Sequence, residues 1–483
     1  MPDDRPRARV RRAKIIATLG PATDGLERDL VAAGLDVARL NFSHGEPEEH
    51  ARRCRAVRAA AQELGRSVAV LQDLQGPKIR VGRLAGGGPV MLTPGQQLSI
   101  TTQDVLGTAD RISTTYQGLP RDVKPGDTLL LDDGRLRLVA TAVGDDEVQA
   151  RVEEGGLLGE HKGINLPGVA ISAPALTDKD RADLRFGLDE LEVDYVALSF
   201  IRSGDEVREA RELVRHLGHD TPLVAKLEKR EAIEHLEDIL AAADAVMVAR
   251  GDLGVELSPE QVPLLQKTMI QRANARGLPV ITATQMLESM RESDTPTRAE
   301  ATDVANAIWD GTDAVMLSAE TATGRHPLLV LRMMDRIVRA AETAELPERP
   351  WARQRRAEDR RALGQAAAVT HAARVLAEDL RACAIVGITR TGRTAELLSR
   401  GRARTPIYAF SPDVAVCRRL ALWWGVIPVS LPLAQGLEAN IAAMEQYLLG
   451  HAGAQPGEMV VIAGAHPFEA GVHTNFVKCQ VLR

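Results

Sequence analysis

Lys226 and Glu228 stand two residues apart at the end of an apolar run, Leu223-Val224-Ala225-Lys226-Leu227-Glu228. Side chains alternate faces along a strand, so an ammonium and a carboxylate at this spacing project together. Neither belongs in a packed core unless the other, a metal or a charged ligand holds it. On its own the pair reads equally as a structural ion pair or as a place where chemistry happens. The next apolar run, 245–249, ends in Arg250-Gly251-Asp252-Leu253-Gly254 and brings a second carboxylate to a strand end. Two carboxylates on adjacent parallel strands suit an oxygen-preferring ion such as Mg2+, which keeps its other positions for water and substrate phosphate. The runs 279–284 and 314–321 finish in Thr284 and in Ser318 and Glu320, so four successive strands end in polar groups.

The elements that must position these groups alternate short apolar runs with helical patterns. Strands are expected at 14–19, 36–42, 68–73, 195–200, 222–228, 245–250, 279–284 and 314–320, with amphipathic helices such as Glu46 to Leu64, Ser203 to Leu217 and Lys229 to Ala243 between them. Eight such units predict an α/β fold, a (β/α)8 TIM barrel with functional residues at the carboxyl ends of its strands. A doubly wound open sheet is the competing architecture. From Gly76 to Pro174 the pattern changes to alternation, and Asp133-Gly134 reads as a hairpin turn. This predicts an inserted all-β domain that serves as a lid, against the alternative of a rigid decoration. After a charged linker from Leu346 to Arg361, alternation resumes with helix 362–380, strand 382–389, a helix from Thr394, strand 405–410, helix 413–424, strand 426–431, helix 436–450 and strand 458–463. The expected division is barrel 1–76 and 175–345, lid 77–174, and a C-terminal α/β domain 346–483.

A chain of 483 residues is too long for one core. A net charge of -6 argues against a nucleic-acid partner, and no long apolar span or secretory signal is present, which points to the cytoplasm and to no membrane partner. Cys54, Cys383, Cys417 and Cys479 have none of the short spacings of zinc or redox sites. The basic arm from Arg5 to Arg12 reads as a solvated terminus.

Seven segments, in order, resemble pyruvate kinases: Arg39-Leu40-Asn41-Phe42-Ser43-His44-Gly45, Gly76-Pro77-Lys78-Ile79-Arg80, Lys226-Leu227-Glu228, the run from Met247 to Glu256, the run from Ala283 to Met290, Pro296-Thr297-Arg298-Ala299-Glu300, and Met316-Leu317-Ser318-Ala319-Glu320-Thr321. The resemblance implies transfer of the phosphoryl group of phosphoenolpyruvate to ADP, giving pyruvate and ATP. It implies that Glu228 and Asp252 hold Mg2+ or Mn2+, and that N–H groups of Gly251 and Asp252 receive the substrate carboxylate. Lys226 and Arg39 are then expected to neutralise the phosphoryl oxygens, while Thr284, Ser318 and Glu320 organise protonation of the enolate. Ala319 departs from the Gly common in the family. For the nucleotide the resemblance points to Arg80, Lys162, Asn41 and Ser199. Arg298 matches a subunit contact, which implies a homotetramer, although Thr297 to Glu300 also reads as a capping box. His44, a lone histidine, is left outside the catalytic set.

Two further expectations rest on the resemblance. Many relatives bind K+ through residues matching Asn41, Ser43, Asp73 and the carbonyl of Leu74; this chain has Lys78 where they carry Glu, and Leu74-Gln75 where they carry Thr-Lys. The lysine ammonium is expected to stand in for the ion, as in a K+-independent branch, against the alternative that it reaches solvent and K+ still binds. The turn Thr389-Arg390-Thr391-Gly392-Arg393-Thr394, with the loop from His466 to Thr474, matches the family's place for a phosphorylated sugar or AMP effector; an ordinary capped helix is the alternative. Two other readings of the catalytic residues are a metal-dependent lyase or aldolase and a catalytically dead binding protein.

Overall fold

The computed structural model describes residues 11–344, 364–434, 436–467 and 471–483. Its first three strands, β1 (Lys14–Thr18), β2 (Val37–Asn41) and β3 (Ala69–Asp73), are almost wholly buried, as parallel strands covered on both faces must be. The chain then leaves for an insertion: β4 (Val90–Leu92), β5 (Gln97–Thr101), β6 (Arg111–Ser113), β7 (Thr128–Leu131), β8 (Leu136–Val143), β9 (Glu147–Glu154), β10 (Gly156–Leu158) and β11 (Ile164–Asn165). It returns as β12 (Tyr195–Leu198), β13 (Leu223–Leu227), β14 (Ala245–Ala249), β15 (Val280–Ala283) and β16 (Ala314–Leu317). The order β1-β16-β15-β14-β13-β12-β3-β2 closes a barrel, which excludes the open doubly wound sheet.

The insertion forms a six-stranded sheet, β11-β7-β8-β9-β5-β6, and a two-stranded one, β10-β4. Alternating burial along β8 and β9 gives the sheet one apolar face, packed around Leu98, Leu129, Leu138 and Val148. The hairpin joining β7 to β8 turns through Asp132, Asp133 and Gly134 at φ of 50°, 55° and 84°, a left-handed path that Asp and Gly tolerate. The C-terminal domain is a five-stranded sheet with the order β19 (Val426–Ser430), β18 (Ile407–Ser411), β17 (Ala384–Ile388), β20 (Met459–Gly464) and β21 (Phe476–Val481). Its last strand pairs antiparallel with β20. Residues 5–10 of the expected basic arm and the linker from Leu346 to Arg361 lie outside the described residues. The end of that arm is not solvated: Arg11 pairs with Asp36 and Asp335, both at 2.8 Å, and Arg12 with Glu342 at 3.4 Å, because the carboxylates of the barrel's lower rim need cations.

Two helices differ from expectation. The pattern over Lys229 to Ala243 forms two helices, Arg230–Glu234 and Leu236–Ala242. His235 breaks them at φ -100° and ψ 22°, where its ring nitrogen bonds the Arg202 carbonyl at 3.0 Å. The run 413–424 is helical only over Val414–Leu420. Its continuation, Ala421 and Leu422, enters the apolar interior of the barrel beside Tyr195, Ala69 and Ile16. Burial of the leucine there contributes about 2 kcal/mol, more than extending the helix into solvent would. The neighbouring Trp424 lies between the guanidinium groups of Arg12 and Arg402, 5.3 and 4.9 Å from the ring centre. Lys14 reaches the Val426 carbonyl at 2.6 Å, and Arg402 and Arg418 pair with Asp313 and Asp194 at 2.9 and 2.7 Å. The C-terminal domain is thereby fastened to the amino-terminal mouth of the barrel, opposite the catalytic end. Among the described residues no helix is long and apolar enough to cross a membrane.

Candidate active site

Lys226, next to last in β13, points its ammonium at three acceptors: Ser199 Oγ at 2.8 Å, Glu228 Oε2 at 3.3 Å and Asp73 Oδ1 at 3.5 Å. Asp73 ends β3 and takes both Nε and Nη2 of Arg39 at 2.7 Å. Arg39, on β2, also donates to Thr18 Oγ1 at 2.9 Å. Barrel closure therefore lines up Arg39, Asp73, Lys226 and Glu228 as alternating charges across the carboxyl ends of the strands. Burial disfavours the Lys226 ammonium, but Asp73, Glu228 and Asp252 outweigh it and leave its pKa raised. Burial likewise opposes ionisation of Asp73, yet Lys226 and Arg39 hold its carboxyl below the usual range. For Glu228 burial wins over the pull of Lys226, and the carboxyl is pushed up to about 7.

Glu228 is fully buried. Its Oε1 accepts the Phe200 N–H at 2.7 Å, whereas Oε2 has no hydrogen-bond partner and only the ion contact to Lys226. A buried carboxylate oxygen left in this condition is costly unless a cation completes it. Asp252 follows the adjacent strand β14, close enough for its charge to help raise the Glu228 carboxyl, and lines a cleft between the barrel and the inserted domain. No group of three or more metal-ligating side chains exists among the described residues, so the pair leaves most positions of a hard cation to water and substrate. The residues present fit Mg2+ or Mn2+ on those terms.

Asp252 belongs to the short helix Arg250–Glu256. The Gly251 N–H, expected to meet the substrate carboxylate, donates to Thr284 Oγ1 at 2.7 Å in this state. Thr284 and Gln285 sit at φ of 67° and 53°, an uncommon conformation for residues other than glycine. Arg250 holds them there: Nη2 bonds the Thr284 carbonyl at 2.7 Å, Nε the Ala283 carbonyl at 3.3 Å, and Nη1 pairs with Asp303 at 2.6 Å. Sequence reasoning gave this arginine no role. Its signal was an arginine between a buried strand and Gly-Asp, a place where a guanidinium must find acceptors. The strand expected over 314–320 ends at Leu317, and Glu320 lies in the short helix Ala319–Ala322 that follows it, where it accepts the N–H groups of Ser318 and Leu287 at 2.6 and 3.2 Å and burial raises its carboxyl. Ser318 Oγ is buried without a partner. Ala319 opens a short helix outside the left-handed region, so alanine is accommodated where glycine is common.

The inserted β domain meets the barrel above Asp252. Arg80 bridges to Gly163 and donates to the His161 carbonyl at 3.2 Å, and Lys162 pairs with Asp132 at 2.7 Å while keeping its head partly exposed. Asn165 donates to Glu256 Oε1 at 3.3 Å, and the same oxygen takes Lys229 Nζ at 2.6 Å. Arg202, oriented by Glu206, donates to the carbonyls of Ile171 and Ala173 and so anchors the chain leaving the lid. Lys78, Phe200 and Lys229 line the cleft with Asp252. Ser199 is buried, its hydroxyl spent on Lys226 and on the Leu74 carbonyl at 2.7 Å, so it serves the lysine rather than the open mouth of the cleft. Asn41 Oδ1 accepts the Ser43 N–H at 3.2 Å. His44, omitted on sequence grounds, has its pKa lowered by burial and by Arg80, Lys78 and Arg39.

In the C-terminal domain a cavity is walled by Thr389, Arg390, Thr391, Arg393, Thr394 and His473. Thr389 Oγ1 takes the Gly392 N–H at 2.9 Å, and Thr394 and Thr474 share a hydroxyl bond of 2.8 Å. Residues 468–470 of the expected second loop lie outside the described residues.

A closed parallel barrel with an inserted β domain, and with paired cations and carboxylates at its strand ends, defines a barrel enzyme for anionic substrates. The model of the family "Pyruvate kinase, barrel domain" matches residues 10–331, and that of "Pyruvate kinase, alpha/beta domain" matches 367–480. Pyruvate kinases of Corynebacterium glutamicum and Mycobacterium tuberculosis are 46% and 47% identical to the chain, covering 98% and 97% of it and 98% of each relative. A pyruvate kinase structure from Cryptosporidium parvum superposes with a TM-score of 0.90 at 36% identity, over 98% of this chain and 96% of that one. The chain belongs to the pyruvate kinase family, whose reaction passes the phosphoryl group of phosphoenolpyruvate to ADP.

Proposed function

We propose that Glu228 and Asp252 hold a divalent cation, Mg2+ or Mn2+, and that this pair and Lys226 form the centre of a pyruvate kinase. The fully buried, unpartnered Oε2 of Glu228 carries the proposal. Held by Glu228 and Asp252, such a cation would supply Lewis-acid neutralisation of the substrate's negative charge. Lys226 and Arg39, joined by Asp73, draw the phosphoryl oxygens. As the bond from phosphorus to the enol oxygen breaks and that to the terminal oxygen of ADP forms, Lys226 stabilises the enolate oxygen left behind. Thr284, Ser318 and Glu320 order the group that delivers a proton to the enolate carbon; the unpartnered hydroxyl of Ser318 supports this placement. The N–H groups of Gly251 and Asp252 take the substrate carboxylate once Thr284 Oγ1 yields the first of them.

Arg80, Lys162, Asn41 and Ser199 form the nucleotide side, with Ser199 acting through Lys226. Lys78 replaces K+ beside Asn41, Ser43, Asp73 and Leu74, which makes the enzyme K+-independent. The cavity at Thr389–Thr394 takes a phosphorylated effector that activates the enzyme. Exposed Arg298, at the start of the helix Arg298–Asp310, contributes to a homotetramer, and the protein works in the cytoplasm. Thr297 and Glu300 form the capping box of that helix as well. The test of the central reading is a lactate-dehydrogenase-coupled assay with phosphoenolpyruvate and ADP. Turnover that requires Mg2+ or Mn2+ and is lost in Glu228→Gln supports it, and turnover insensitive to chelation overturns it.

A further inference from the structure

The chain crosses between the barrel and the inserted domain twice, and both crossings touch one short segment, Ser199–Arg202, that follows β12. On the way out, the Leu74 carbonyl accepts from Ser199 Oγ at 2.7 Å. Gly76, at φ 69°, comes so close to this segment that a Cβ there would stand 3.0 Å from both Ser199 and the Phe200 ring. On the way back, Arg202 donates through Nη1 to the Ile171 carbonyl and through Nη2 to the Ala173 carbonyl, the latter at 2.8 Å. Glu206 fixes this arginine, taking its Nε at 2.7 Å and its backbone N–H at 2.6 Å.

The same segment serves the two central charges of the cleft. Ser199 Oγ accepts from Lys226 at 2.8 Å, and the Phe200 N–H donates to Glu228 Oε1 at 2.7 Å. Phe200 makes that bond from φ 58°, a left-handed conformation that a bulky residue keeps only where its neighbours hold it. Ile201 is buried, and Arg202 is tied at its guanidinium, at its N–H and at its carbonyl, which the His235 ring meets at 3.0 Å. A shift of 171–173 that releases Arg202 therefore reaches the Glu228 bond through a single intervening residue.

Building on the assignment of a divalent cation to Glu228, we propose that Arg202 is a positioning residue for that site. Its bonds to Ile171 and Ala173 make the placement of the inserted domain and the presentation of Glu228 one variable. With Oε1 fixed by Phe200, the unpartnered Oε2 is the atom left for the cation; if Phe200 turns away, the carboxylate loses its orientation and a buried N–H loses its acceptor. The coupling is reciprocal: whatever the domain's placement does for cation affinity, the cation does for that placement.

Amide exchange of the substrate-free wild type, with and without Mg2+, is the first test and needs no variant. Mg2+ is expected to slow exchange across 171–173, on the far side of the Arg202 contact, by about fivefold or more. Arg202→Met is expected to lose that slowing even at saturating Mg2+. Its affinity for Mn2+, followed by electron paramagnetic resonance, should fall at least about fivefold. Arg202→Lys, which keeps the charge without the planar fork, should fall between. Arg208→Met, on the helix Gly204–His216 and paired with Asp205 and Asp238, should match the wild type in both measurements. A wild type that binds Mg2+ with no change across 171–173, unaltered Mn2+ affinity in Arg202→Met, or an equal loss in Arg208→Met overturns the proposal. Absence of Mn2+ binding by the wild type, or equal binding by Glu228→Gln, instead rejects Glu228 as the cation's ligand, and the role of Arg202 with it.

Discussion

Lys226 Nζ lies 3.3 Å from Glu228 Oε2, and the two ends of that contact are unequally served. The lysine also has Ser199 and Asp73, whereas the carboxylate oxygen has nothing else. The pair is therefore more than a self-sufficient salt bridge: the lysine has other acceptors beside Glu228, and Glu228 has capacity left for a cation.

Lys226→Met is expected to fold, because Arg39 still neutralises Asp73 and Glu228 can take up a proton. Phosphoryl transfer should drop well beyond tenfold, a barrier increase above about 1.4 kcal/mol. Turnover, proton exchange of pyruvate and circular dichroism are the measurements, and retention of more than a tenth of wild-type turnover would remove Lys226 from the centre of the mechanism.

Glu228 gives a pH dependence whose sign is fixed. Its carboxyl, ordinarily at 4.5, titrates near 7 in the folded, metal-free protein. Between those values the folded state holds a proton that the unfolded state has lost, so this group's contribution to stability falls as pH rises through that window. A cation binding there must displace the proton. Apparent Mg2+ affinity should climb by up to about tenfold per unit as pH approaches 7 from below, then level off. Titrations at several pH values test this, and a flat profile through that range counts against it.

Lys78→Glu exchanges a positive for a negative neighbour in the cleft. The wild type should turn over with Mg2+ when K+ is replaced by a bulky quaternary ammonium ion, and the variant should gain activation by K+. A charge reversal at 4 Å is worth roughly several kcal/mol at an effective dielectric near 20, enough for a many-fold effect. Many-fold activation of the wild type by K+ would refute the replacement.

Asn165→Ala cuts the contact from the lid to Glu256 while leaving Lys229 paired with it. Losing a hydrogen bond to a charged acceptor costs about 1.5 kcal/mol, so closure should weaken by roughly tenfold. The expected result is a raised KM for ADP and faster amide exchange across 162–166, with thermal stability of the barrel little changed. Equal exchange in both proteins would show that the contact does not hold the lid.

Fructose 1,6-bisphosphate, glucose 6-phosphate, ribose 5-phosphate and AMP can be titrated one at a time. At least one is expected to lower the apparent KM for phosphoenolpyruvate, and the effect should disappear in Arg390→Met. No response to any of the four would leave the cavity at Thr389–Thr394 without its proposed role.

The chain read alone pointed to an eight-unit barrel, with an open sheet as its competitor, and to polar groups at the carboxyl ends of its strands. Short runs buried on both faces leave little choice but parallel strands, and a charged residue that ends such a run is placed at the strand's carboxyl end by the period of the strand alone. That reasoning found Lys226, Glu228, Asp252, Thr284, Ser318 and Glu320, and the period-2 pattern after Gly76 exposed the lid. The tertiary structure decided which of these groups meet and what holds them. Asp73 joins Arg39 to Lys226 only because closure brings β2, β3 and β13 around one axis. Arg250 braces the Thr284 backbone from the next strand. Ala421 and Leu422 read as the end of an amphipathic helix and instead fill the barrel from below. Each of these depends on residues far apart in the chain, and a local pattern of burial records that a side chain is covered without recording what covers it.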